Sequence, residues 1–207
     1  MSKWIDISMP LFNGMAHWPG DTPFSFKLSA TKKETGSVNI GQITTSLHMG
    51  THVDAPFHFD DDGATIEDLE LDVFIGPARL IDVSQCPAIC RKTLEAFDLE
   101  GVTRLLLRTG SSGDPRRFPQ SIPAPDPDIA PFLQEKGIRL IGVDLPSVDP
   151  LDSKSLSTHH ALARHGIYIL ENLMLGHVTP GDYELIALPL SLREADASPV
   201  RAVIRPL

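Results

Sequence analysis

Short aliphatic runs bounded by Gly, Pro, Asn or Asp dominate the hydrophobic pattern of this chain, and such runs read as strands. They fall at roughly 24–29, 38–48, 78–83, 103–109, 138–144, 167–171, 183–189 and 199–205. Helical periodicity is rarer. "IAPFLQEKG" places Ile129, Phe132 and Leu133 on one helical face and closes with Gly137. A second helix is expected over about 153–165, capped by Asp152 and stopped by Gly166, and a shorter one at 91–98. So many strands against so few helices do not fit regular βαβ alternation, which predicts a mixed-sheet α/β or α+β domain with the core on the sheet.

The 207 residues fit one domain over 1–207. No apolar run approaches the ~18–20 residues of a membrane span, and "MSKWIDISMPLF" has no apolar leader core. The cytoplasm is therefore the expected compartment. A net charge of −9 without a basic cluster argues against nucleic-acid binding. Cys86 and Cys90 stand alone as a C-x3-C pair, expected as reduced packing residues. Proline concentrates in "GDPRRFPQSIPAPDPDIAP", residues 113–131, which reads as one ordered, functional surface loop between a strand and a helix.

Candidate chemistry gathers in "SLHMGTHVDAPFHF", residues 46–59. His48, His52, Asp54 and His58 are all even-numbered and share one face of an extended strand. A straight strand would put the first two alpha carbons roughly 13 Å apart, so the chain must bend. Gly50 is the natural bend, and Pro56 would end ladder pairing and release His58 into a loop. Imidazoles with a carboxylate suit Zn²⁺, Mn²⁺ or Fe²⁺ and leave positions open for water. No HExxH, EF-hand, P-loop or G-x-S-x-G pattern competes. Further ligands are sought in "STHHALARHGIYILEN": His159 and His160 both flank the helical stripe, and spacing does not choose between them. Glu171 ends an apolar strand, where a metal would neutralise an otherwise costly buried carboxylate.

"HMGTHVDAPFH" matches the H-x-G-T-H-x-D-x-P-x-H pattern of the metal-dependent cyclase family. With "WPGDTPF", "LLLRT", "GVDLPSVDP", "GDYELIALPL" and "SPVRAVIRPL", the chain resembles that family over its full length. The resemblance implies a swivelling β/β/α domain, a homodimer and two divalent ions, usually zinc. His48, His52 and Asp54 would hold one ion. Asp54 would bridge to a second, held by His159 and Glu171, with Glu171 bridging as well. In the family the helix histidine precedes the glutamate by twelve residues, which selects His159. The implied reaction is hydrolysis of N-formyl-L-kynurenine to L-kynurenine and formate, in tryptophan degradation, by water acidified at the metals.

His58, past Pro56 and not needed as a ligand, is then the candidate proton carrier, with a fourth ligand as its other reading. Trp18 reads from sequence as core or as an aromatic wall, and the resemblance favours a wall that binds the substrate ring. His17, His165 and His177 are expected to be structural. Asp60–Asp62 are expected in a solvated turn, from which one could orient a ligand histidine. Three other functions are compatible with parts of the pattern: an isatin-type cyclic amide hydrolase sharing every ligand, a mononuclear non-haem iron oxygenase built on His52 and Asp54, and a non-catalytic metal-binding module.

Overall fold

In the computed structural model, which describes residues 3–207, the central aliphatic runs form four parallel strands. These are β5 (Ile75–Asp82), β6 (Arg104–Arg108), β7 (Leu140–Val143) and β8 (Tyr168–Glu171), adjacent in that order. The crossovers carry α2 (Arg91–Leu94), α3 (Ile129–Glu135) and α4 (Ser157–Arg164). Antiparallel strands extend both sides of this block. β9 (Gly181–Ile186), β11 (Val203–Pro206) and β1 (Ile5–Asp6) continue from β5; β4 (His52–Asp54) and β10 (Ala197–Pro199) continue from β8. Residues 1 and 2 of the expected domain and leader-free N-terminus lie outside the described residues.

Strand alternation sorts the core into two layers. Leu105, Leu107, Ile141 and Ile169 pack against the helices through Leu94, Phe132 and Leu162. Leu106, Leu140 and Leu170 face the other way and meet Val53 of β4, Leu185 of β9 and Ile204 of β11. Strands from opposite sides of the sheet share this second layer because the mixed sheet curls into a half-barrel with few helices. No helix among the described residues is long and apolar enough to cross a membrane. Both cysteines are free, and Cys86 packs against the helix-side core.

Several element boundaries differ from the sequence expectation. The run 38–48 is a strand only at β3 (Ile40–Thr44), which pairs with β2 (Ser25–Ala30) in a separate hairpin joined by α1 (Lys32–Thr35). The stretch 199–205 divides between β10 and β11. The helix expected from 153 begins at Ser157, because Asp149 and not Asp152 accepts from the first amides, those of Thr158 and His159, each at 3.0 Å. The 91–98 helix is regular only over Arg91–Leu94.

Candidate metal centre

The pattern 48-52-54-58 is not one bent strand. Only His52 and Asp54 lie on β4, where spacing by two points them to one face. His48 sits before Gly50, whose φ of +66° turns the chain, and a Cβ there would lie 2.5 Å from Leu11 Cδ2. Glycine is thus favoured by the backbone conformation, whereas the exposed Leu11 side chain could swing away from a Cβ. Pro56 opens the 3-10 turn Pro56–His58 and carries His58 off the strand. Antiparallel pairing of β4 with β8 sets Glu171 directly opposite His52. His159 arrives from the first turn of α4. His160, half-buried on the same helix, packs on the Phe59 ring at 5.3 Å.

These elements bring donor atoms to two overlapping foci: His48, His52 and Asp54 at one, and Asp54, His159 and Glu171 at the other. Asp54 divides its oxygens, with Oδ1 3.0 Å from His48 Nδ1 and 3.3 Å from His52 Nε2, and Oδ2 3.6 Å from His159 Nε2. Glu171 does the same, with Oε2 3.5 Å from His52 Nε2 and Oε1 3.8 Å from His159 Nε2. His52, Asp54, His159 and Glu171 are buried. Despite these approaches, His52 Nε2 and both oxygens of Asp54 have no hydrogen-bond partner. Buried polar atoms are seldom left so. They converge on shared points instead of pairing with each other, and the nitrogen and oxygen donor set suits a divalent ion.

The far nitrogen of each imidazole is engaged. His48 Nε2 lies 2.8 Å from Asp196 Oδ2, His52 Nδ1 lies 2.9 Å from the Gly50 carbonyl oxygen, and His159 Nδ1 lies 2.7 Å from Asp149 Oδ2. These acceptors fix the outer ring protons, so that each inward nitrogen, once its own proton is displaced, is aimed as a base at the cluster, the arrangement that orients metal-binding histidines. Asp60–Asp62 lie exposed around a turn, as expected, and none of them orients a histidine; the two carboxylates that do, Asp149 and Asp196, were not singled out from sequence. For Asp149 the available signal was its place ahead of a helix start. Asp149→Ala is expected to weaken divalent-ion binding by about 10–100-fold, as loss of such a partner typically does. Competition against a chelator of known affinity measures it.

Without metal, protons hold the cluster together. Burial opposes charge on His48, yet Asp196 and Asp54 outweigh it and push the imidazole up to about 10. His159 is likewise raised to about 10 against burial, by Asp149 and Asp54. Burial also opposes charge on Asp54, but His52, His159 and His48 hold it well below the usual carboxylate range. Glu171 rises to about 7 through burial and repulsion from Asp54. Two imidazolium charges thus stand among the donors, and a metal entering must displace their protons, so affinity rises with pH.

The cluster floors a cavity of about 740 Å³. His58 faces it, with Nδ1 3.6 Å from Asp196 Oδ2 and its ring 3.9 Å from that of His48. Trp18 is a cavity wall, edge-on to Phe118 at 5.3 Å and 78°. Phe118 belongs to the proline-rich loop, which lines the cavity from Gly113 to Pro119 and so is part of the site. His17 also lines the cavity, whereas His165 donates to the Ala161 carbonyl at 2.8 Å.

Residues 5–150 match the family model described as "Putative cyclase". The chain belongs to this family, whose fold is that of a metal-dependent hydrolase. Within it the chain is a homologue of kynurenine formamidases: it is 64% identical over 206 residues to that of Bacillus cereus, spanning 100% of this chain and 99% of the relative. A solved structure described as a potential metal-dependent hydrolase with cyclase activity superposes with a TM-score of 0.86 at 28% identity, covering 100% of this chain and 99% of the other. Isatin hydrolase A of Labrenzia aggregata shares the fold at a TM-score of 0.80 and 23% identity, over 99% of this chain and 93% of its own.

Proposed function

We propose that this chain, acting as a single domain, hydrolyses N-formyl-L-kynurenine to L-kynurenine and formate at a pair of divalent ions, zinc by preference. His48, His52 and Asp54 would hold one ion, His159 and Glu171 the other, with Asp54 and Glu171 shared. The observation that carries this reading is the division of both carboxylates between two donor groups. Divalent ions held by these residues would supply an acidified water and Lewis-acid polarisation of a carbonyl oxygen.

The chain's own residues do the rest. Partial desolvation at the cavity edge holds His58 below its ordinary pKa. It is therefore a free base near neutrality, able to take a proton from the attacking water. The same imidazole returns that proton to the aniline nitrogen as the C–N bond breaks, and the formic acid released ionises to formate. Trp18 and Phe118 offer flat apolar walls to the aryl ring.

An isatin-type hydrolase is the second reading, because isatin hydrolases share this fold. Full-length identity of 64% with formamidases weighs against it. A mononuclear iron oxygenase leaves His48 and Glu171 without a role. Turnover of N-formyl-L-kynurenine and isatin by one preparation separates the readings. A kcat/KM at least about a hundredfold higher on the formamide, worth roughly 2.7 kcal/mol of barrier, supports the proposal; preference for isatin overturns it.

The chain is also proposed to act as a homodimer. The β2–β3 hairpin exposes Phe26, Leu28 and Ile43, the last at 61%, a patch that a second copy would cover. Sedimentation at twice the chain mass supports this, and a monomer contradicts it. The free thiols fit a reducing compartment such as the cytoplasm.

A further inference from the structure

We propose that Arg117, assisted by Lys154 from a second loop, forms a carboxylate subsite that selects aryl formamides bearing an α-amino acid group over those without one. This inference rests on the reading of the site given above. The cavity changes character from floor to rim. Its floor is the buried histidine and carboxylate cluster, its wall includes the Trp18–Phe118 pair, and Arg117 and Lys154 line it while exposed to solvent. A substrate with its formamide on the floor and its ring against that wall would direct its remaining substituent outward.

Arg117 is held in place by its loop. The Ala16 amide donates to the Pro115 carbonyl at 2.8 Å, tying the loop to the segment that bears Trp18, and the Arg117 amide donates to the Asp114 carbonyl at 2.9 Å. Next along the chain, Phe118 touches Trp18. The guanidinium itself is unspent. Neighbouring Arg116 has Asp114 and the Phe12 ring as partners, and Arg79, Arg91, Arg108, Arg139 and Arg205 are paired with acids. Among the described residues, only Arg117 and Arg164 of the arginines have a side chain without a hydrogen bond, ion pair or ring contact, and only Arg117 lines the cavity. Lys154 is equally without a partner. Of the exposed acids lining the cavity, Asp114 is paired with Arg116, and Asp21 accepts from the Ser46 hydroxyl at 3.0 Å but keeps its charge, so Arg117 and Lys154 stand as two free cations against one anion. The rim therefore presents free positive charge in a chain of net charge −9. A guanidinium fork matches a carboxylate in two parallel hydrogen bonds.

The test is calorimetric binding of L-kynurenine and of 2-aminoacetophenone, which lacks the amino acid group, to wild type, Arg117→Met, Arg117→Lys and Lys154→Met. Arg117→Met is expected to weaken L-kynurenine about tenfold, the size of one charge-assisted hydrogen bond, and to shift 2-aminoacetophenone less than about twofold. Arg117→Lys should recover part of the loss. Equal weakening of both ligands, no weakening of either, or no binding of L-kynurenine to wild type overturns the subsite. Wild-type turnover of N-formyl-L-kynurenine, measured in parallel, reports separately on the reaction: binding selectivity without turnover would keep the subsite and sink the proposed function.

Discussion

His58→Ala is expected to lower kcat on N-formyl-L-kynurenine by about 10²–10⁴-fold, the usual contribution of a positioned acid–base group, while metal content stays at the wild-type level. The two halves of this result belong together. His58 lies on the 3-10 turn after β4, with Asp196 at 3.6 Å and the His48 ring at 3.9 Å, and it is absent from both groups that share Asp54. It does join a third group with His48 and Asp196. If that group held an ion, His58→Ala would lose metal along with activity, and the proton-carrier role would fall. Metal analysis by mass spectrometry beside single-turnover kinetics distinguishes the two.

Asp54→Asn should act more broadly than any histidine substitution. Both oxygens of Asp54 are buried without a hydrogen-bond partner, and they face opposite donor groups. The amide keeps the volume but offers one neutral oxygen where two anionic ones stood. Both ions are expected to be lost together, with a rate decrease of about 10³-fold or more, since such ions supply several kcal/mol of charge stabilisation. His48→Ala and His159→Ala, by contrast, should each deplete one ion. If Asp54→Asn kept one ion at full occupancy, the carboxylate would not be shared.

Much of this arrangement could be read from the chain, and what escaped did so for identifiable reasons. The parallel strands are legible at 103–109 and 138–144 because both faces are buried, so Leu105, Leu106 and Leu107 form an unbroken aliphatic run. β4 is the opposite case. Its sequence His-Val-Asp carries no aliphatic strand run, because two of its three positions belong to the buried histidine and carboxylate cluster and only Val53 packs in the core. The family motif marked these residues, yet their alternation suggested one continuous strand where the structure has turn, strand and 3-10 turn. The spacing ahead of the helix points to Asp152 as its cap, whereas Asp149, farther off in sequence, is the residue that accepts from the Thr158 and His159 amides. Asp196 stands 148 positions from His48. No local pattern connects them; β10 lying along β4, with Ala197 opposite Asp54, does.

The fold is shared with isatin hydrolase A, so fold alone does not choose the reaction. Whether two ions drive the hydrolysis is decided by metal stoichiometry of the purified protein together with turnover of N-formyl-L-kynurenine before chelation, after it, and after zinc is restored. About two divalent ions per chain, loss of turnover on chelation and recovery with zinc are expected. Turnover that survives complete removal of metal would contradict a metal-driven hydrolysis.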